Sequence, residues 1–401
     1  MRIAIFSDNF YPELSGIADS IMHIAQELGN VGHKIAIYVP RYTRENYRIL
    51  NLPFGKFKEI NLGSNVAVHR FAAISYPTGT RQGRLVIPTG FRALGVKSFN
   101  PDLIHVHLPM GVGVEGLVSA ALLHKPLVGT NHTPTAEFMR YIPLGGKKIT
   151  QWAIRWTTWF YNQCQFVSAP SRSIFTEMQE YGFKAPHWVI SNPLNPQLFQ
   201  PIAQDTSLKQ KFGLSDFTIF YAGRLAREKH IDDILQAVAL LTDAIPHIGV
   251  AITGRGAAQV ELQALAKKLG IVDRVKFLGF LDEKEFALLY SAVDVFVMMS
   301  TAETQNIAMM QAMLAEVPVI GAKAWGLEDY INAENGFLVE PGNIRALAEK
   351  ILYLYRNPDI RKKLGQGGRK FARQFSTPVI VKQWEKIYLD VIDRYKKSRA
   401  L

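Results

Sequence analysis

Cysteine is almost missing from this sequence of 401 residues. Cys164 stands alone, which excludes an internal disulfide and fits a reducing compartment. No apolar run reaches about 18 residues, so no helix is expected to cross a bilayer. A leader is not expected either. Met1-Arg2 runs straight into an apolar segment that ends at Ser7-Asp8, too short and too soon interrupted for a signal peptide. Internal repeats and low-complexity tracts are absent. Acids are absent from two long stretches. Residues 60–101 carry Arg70, Arg81, Arg84, Arg92 and Lys97, and residues 138–176 carry Arg140, Lys147, Lys148, Arg155 and Arg172, all without one Asp or Glu.

What is present is ordinary globular material, 48% hydrophobic and 20% charged, enough for two or three domains. The net charge is +12. It is uneven: residues 1–195 hold 19 Lys/Arg against 11 Asp/Glu. Such a balance suits nucleic acid, anionic lipid or anionic metabolites. No zinc-finger or RNA-recognition pattern accompanies it, so nucleic acid is not an expected partner.

Short apolar runs alternate with helical patterns along the chain. In the first half, strands are expected at 2–7, 34–39, 66–71, 103–107, 127–130, 166–169 and 188–191. Between the first two, Ile21, Ile24, Ala25 and Leu28 share one helical face. Pro193, Pro196 and Pro201 mark a linker. The alternation then restarts, with strands expected at 217–222, 248–253, 275–278, 295–299 and 317–320. This order predicts an α/β protein of two doubly wound, Rossmann-like domains. The expected divisions are 1–195, 196–376 and a last helix within 377–401.

In such sheets, loops at the carboxyl ends of strands take the ligands. Glu303 lies in one, between the strand at 295 and a helix carrying Ile307, Met310, Met313 and Leu314. Gln311 follows eight residues later, about two turns down. Gly223-Arg224 and Lys229 lie in another such loop. Two cations beside a glycine turn can hold a diphosphate and neutralise a leaving nucleotide. Gly254-Arg255-Gly256 and Gly279-Phe280 end the next two strands. In the first half, Gly16 opens a helix after Asp8-Asn9, and His132 sits in Gly129-Thr130-Asn131-His132-Thr133. No Cys or carboxylate spacing supports a metal site at His105, His107 or His132.

Residues 137–163 combine a basic helix with aromatics. Trp152, Trp156 and Trp159 share one face, with Lys147, Lys148 and Arg155 nearby. Such a helix suits a membrane interface, and the same stripe is what a core-facing helix would show.

Taken in order, these motifs resemble those of the retaining glycosyltransferases of family 4, which have the GT-B fold. Glu303 matches the first acid of that family's signature, and Gln311-Ala312-Met313 with Pro318-Val319 matches the rest. Gln311 stands where the family has its second Glu, and Glu316 where it has Gly. Gly223-Arg224 and Lys229 resemble the Gly-Arg and Lys-Gly motif, with His230 in place of the second Gly. Ser15-Gly16 resembles the Gly-Gly loop. The resemblance implies two domains facing a cleft. It implies that Glu303 and His132 contact the donor sugar, and that Arg224 and Lys229 hold the diphosphate in place of a metal. It implies further that Gly16, Gly223, Gly254, Phe280, Thr304, Gln305, Asn306, Ile307 and Gln311 line the nucleotide-sugar site. No metal and no cofactor are expected beyond the donor, a UDP-hexose or GDP-hexose.

Thr301-Ala302-Glu303-Thr304-Gln305, with Glu137-Phe138 and Tyr141-Ile142-Pro143 after His132-Thr133, looks most like the glycolipid synthase branch. A diacylglycerol or related lipid acceptor is therefore expected. So is attachment to an anionic membrane surface through Lys147, Lys148, Trp152, Arg155, Trp156 and Trp159. That places the protein in the cytoplasm, on the inner face of the cell membrane. The competing expectations are a soluble sugar or polyol acceptor, and a non-catalytic GT-B binding module.

Overall fold

The computed structural model describes the chain except residues 14, 49–58, 77–82, 141–145, 203–205 and 401. The described residues divide into two compact units, 1–193 with 377–401, and 194–376.

The first unit is built on a seven-stranded parallel sheet. Its strands are β1 (Arg2–Ser7), β2 (Lys34–Pro40), β3 (Val66–Phe71), β4 (Leu103–His107), β5 (Leu127–Thr130), β6 (Phe166–Ala169) and β7 (His187–Val189), in the order β3-β2-β1-β4-β5-β6-β7. The central strands β1, β4, β5 and β6 are buried along almost their whole length. Burial on both faces is why they read as continuous apolar runs. Helix α1 (Gly16–Asn30) lays Ala18, Ile21, Ile24, Ala25 and Leu28 inward. Ser15 caps it, its hydroxyl accepting from the Ala18 amide at 3.2 Å.

Helix α2 (Gly111–Leu123) follows β4, and α3 (Lys147–Tyr161) precedes β6. The C-terminal helix Thr377–Ala400 packs on α1 within this unit. Its Tyr388 hydroxyl lies 2.7 Å from His105 Nδ1, and Trp384 packs against the same imidazole.

The second unit carries a six-stranded parallel sheet. Its strands are β8 (Phe217–Ala222), β9 (Ile248–Thr253), β10 (Val275–Gly279), β11 (Val295–Met298), β12 (Val319–Ala322) and β13 (Gly336–Val339), in the order β10-β9-β8-β11-β12-β13. Helices α4 (Ile231–Ala239) and α5 (Ile307–Leu314) follow β8 and β11. Each sheet reverses its winding beside its first strand, the switch point where doubly wound sheets bind ligands.

Two expected strands are displaced. The one expected at 188–191 is β7, an edge strand whose ladder to β6 ends at Val189. The one expected at 317–320 is β12, two residues later, because Val317 belongs to a helix-ending turn. The Val317 amide donates to Ala312 O at 2.9 Å and the Glu316 amide to Met313 O at 3.1 Å. This pairing is a Schellman motif, and Glu316 takes its left-handed position with φ 62. Glycine holds that position without steric cost. Glu316→Gly is therefore expected to stabilise the fold by roughly 0.5–1 kcal/mol, the relief of left-handed strain less glycine's extra chain entropy. Urea unfolding checks this. A lower midpoint would mean that the Glu316 carboxylate, 3.9 Å from Arg369 Nε, matters more than the backbone.

Candidate active site

Four loops of the second unit meet at the carboxyl ends of β8, β9, β10 and β11. The loop after β8 begins at Gly223, whose amide donates to Thr253 O at 3.1 Å. The Gly254 amide donates to Gly279 O at 2.8 Å. A Cβ on Gly254 would stand 1.9 Å from Gly223 O, so only glycine allows this approach. Phe280, just past β10, is exposed. The loop after β11 joins the same edge through the Thr301 amide, 3.4 Å from Glu228 O.

Lys229 and Glu303 meet there. Lys229 Nζ lies 2.5 Å from Glu303 Oε1, with side chains only 14% and 12% exposed. Burial would raise the Glu303 carboxyl. The Lys229 charge and hydrogen bond, with hydrogen bonds from Ser300 and Asn306, outweigh it and hold the group below the usual carboxylate range. The carboxylate therefore stays ionised in a largely dry setting. Arg224 is 55% exposed, and its guanidinium donates to the buried Glu228 carboxylate at 2.6 Å. Glu228 thus aims the cation, a role not apparent from the sequence motif.

Backbone conformation explains the departures from the glycines of the motif. His230 has φ 47, the left-handed conformation in which glycine is at home, between a turn at Arg227–Lys229 and α4. Asn306 also has φ above zero and caps α5, its side chain accepting from the Met309 amide at 2.7 Å. Thr304 is partly buried, Gln305 is buried, and Ile307 opens the helix. Gln311 lies two turns on, its Oε1 3.3 Å from the Tyr290 hydroxyl, which also lies 2.9 Å from Ala308 O. Tyr290 stands 21 residues upstream, so nothing local to Gln311 announces it. No metal was expected. His230, Asp232 and Asp233 do bring ligand-type atoms within 4.8 Å of one another at the start of α4.

In the first unit, His132 follows β5. Its Nε2 lies 2.9 Å from His107 Nδ1, with the rings stacked. Burial pushes the His132 imidazole down to about 3 and holds His107 well below its ordinary value. Both are neutral, so one ring donates and the other accepts. Gly16 is the first residue of α1, beside Ser15, whose hydroxyl donates to Asn9 Oδ1. Asp8, at the end of β1, accepts from the Val112 amide at 2.7 Å and the Gly113 amide at 3.1 Å, at the start of α2. Burial, against those amides, raises its carboxyl to about 7.

Helix α3 turns Ile154, Thr157, Phe160 and Tyr161 inward. Lys147, Lys148 and Arg155 are exposed, as are Trp152 at 65% and Trp159 at 49%. Trp156 stacks between the two other indoles and donates to Pro109 O at 2.8 Å. In the acid-free stretch 60–101, Ile87, Phe91, Leu94 and Lys97 are also exposed, but three of the arginines are engaged within the fold. Arg70 pairs with Glu59 at 2.6 Å, Arg84 is buried against Thr43 and Asn46, and Arg92 pairs with Glu115 at 3.2 Å. Arg81 and Tyr141-Ile142-Pro143 lie outside the described residues.

Comparison with known proteins gives this arrangement a family. Residues 14–198 match the family model Glycosyltransferase Family 4, and residues 204–371 match Glycosyl transferases group 1. The chain belongs to these glycosyltransferases, and its two parallel-sheet units are those of the GT-B fold. It is 24% identical to the alpha-monoglucosyldiacylglycerol synthase of Acholeplasma laidlawii, over 99% of each chain. It is 26% identical to the GDP-mannose-dependent alpha-mannosyltransferase of Mycolicibacterium smegmatis, over 95% of each. Among solved structures, Anabaena HepE in complex with UDP superposes with a TM-score of 0.77 at 22% identity, covering 97% of this chain and 100% of that one.

Proposed function

We propose that this protein moves a hexose from UDP-hexose or GDP-hexose to a hydroxyl of diacylglycerol or a related membrane lipid. The transfer retains anomeric configuration and uses no metal. The observation that carries this reading is the buried Lys229–Glu303 pair, set among the Gly223, Gly254 and Gly279 loops. It offers an ionised carboxylate for a sugar and cations for a diphosphate. As the bond from the anomeric carbon to phosphate oxygen breaks, negative charge grows on the diphosphate, where Arg224 and Lys229 stabilise it. Glu303 orients the hexose, and His132 is assigned to its hydroxyls. Gln311 is assigned to the ribose. The acceptor hydroxyl attacks from the leaving-group face, and its proton passes to the departing phosphate oxygen. No covalent nucleophile is assigned.

The lipid acceptor is supported by the likeness to alpha-monoglucosyldiacylglycerol synthase and by the exposed face of α3. Trp152 and Trp159 with Lys147, Lys148 and Arg155 suit the headgroup region of an anionic bilayer. Among the described residues no helix is long and apolar enough to cross a membrane. Attachment at the inner face of the cell membrane would then be peripheral.

Each cation at an anionic surface contributes about 1 kcal/mol, so changing Lys147, Lys148 and Arg155 to Ser is expected to weaken vesicle binding by about two orders of magnitude. Lipid glycosylation should fall with it, and slow donor hydrolysis should persist. Binding by the native protein should also weaken as salt rises. Co-sedimentation with anionic vesicles across a salt series, with a transfer assay on the same samples, makes the test. A native protein that stays in the supernatant at low salt rules out the lipid acceptor and leaves a soluble one.

A further inference from the structure

The loop after β12 lies on the same sheet edge as Glu303, since β12 pairs with β11. Trp325 in this loop has φ 48, the left-handed region. A bulky side chain there is an outlier that persists only when its surroundings require it. The conformation has a visible result one residue later. The Gly326 amide donates to Glu303 O at 2.9 Å, and a Cβ on Gly326 would stand 1.9 Å from Thr304 O. The loop is thereby locked backbone to backbone onto the segment that carries Glu303.

The Trp325 side chain has no matching structural task. Ala324 and Leu327 pack into the core of the unit. The Trp325 indole is half-buried, yet it makes no ring stack and no hydrogen bond with any described residue. A large aromatic held in a strained conformation, next in sequence to the glycine that bonds the Glu303 backbone, has its N–H unspent and its faces unstacked. Amphipathic rings of this kind offer an apolar wall and one donor.

We propose that Trp325 is a specificity-determining residue of the donor site. Its indole face forms one wall of the hexose subsite, and its Nε1–H donates to a sugar hydroxyl. This rests on Glu303 being the carboxylate that holds the donor sugar. The subsite would then recognise the hexose and leave the nucleoside diphosphate untouched.

The test is calorimetric titration of the native protein, Trp325→Phe and Trp325→Gly with UDP, UDP-glucose, GDP and GDP-mannose. Trp325→Gly is expected to bind the free nucleoside diphosphate as the native protein does. It should bind the corresponding nucleotide-sugar about tenfold more weakly, the scale of a lost hydrogen bond and its contacts. Trp325→Phe keeps a ring face and loses the N–H, so its loss should be intermediate. Thermal midpoints are recorded alongside, since Trp325→Gly gives up the burial of the indole while relieving the left-handed strain. An unchanged ratio of nucleotide-sugar to nucleotide affinity in both variants overturns the assignment of Trp325 alone. A parallel loss of both affinities does the same, because it marks a general disturbance of the loop. If the native protein binds none of the four compounds, the donor-site reading itself fails, and this assignment with it.

Discussion

Glu303→Gln is expected to lower hexosyl transfer by about two to three orders of magnitude, the scale of losing one preorganised electrostatic contact. The amide keeps the shape of the side chain and removes its charge. Alanine would be a blunter test. Lys229 is nearly buried against Glu303, and removing one member of a buried pair leaves the other charge uncompensated, at a typical cost of about 3–5 kcal/mol. Activity and stability must therefore be measured together. The double variant Glu303→Gln with Lys229→Met removes both charges. It should recover much of the stability and none of the activity. Near-native turnover in Glu303→Gln would remove this residue from the site.

Arg224→Ala and Lys229→Met are each expected to cost several kcal/mol of transition-state stabilisation, seen mainly in kcat, because the diphosphate is most charged as the sugar departs. Their structural consequences differ. Arg224 is itself half-exposed, so its removal opens no cavity, but the buried Glu228 carboxylate loses its partner. Lys229 is enclosed, so its loss strands Glu303. If these cations replace a divalent ion, turnover should survive EDTA. Activity lost in EDTA and restored by magnesium would contradict that role.

The parts of the fold legible in the sequence are those where one physical cause dominates. Arg2–Ser7 is buried on every residue but Arg2, and Ile248–Thr253 on every residue, so hydrophobicity alone marks them. β13 begins at Gly336 and is only four residues long, too little pattern to distinguish from a loop. The hairpin of Ile74–Ser75 with Arg84–Leu85 has two residues a side and leaves no periodicity. Val317 is apolar and reads as strand, but the left-handed turn at Glu316 claims it.

The candidate site divides in the same way. Glu303 and Asn306 stand out because a polar turn between a buried strand and a helix is visible locally. The Lys229–Glu303 pair spans 74 residues, and the His107–His132 contact spans 25. Neither distance can be read from spacing. His230 and Glu316 show the converse case. Their left-handed backbones became evident only in three dimensions, although the glycines of the family signature at those positions already implied that geometry.

The most direct test of the central claim is the structure of the product. The purified protein would be incubated with diacylglycerol in anionic vesicles and with carbon-13-labelled UDP-glucose or GDP-mannose, both α-linked donors, and the lipid fraction examined by NMR. A labelled glycosyl diacylglycerol with an α-anomeric linkage, formed with EDTA present, is the expected product. A β-linked product, or no labelled glycolipid from either donor while the protein is bound to the vesicles, would contradict it.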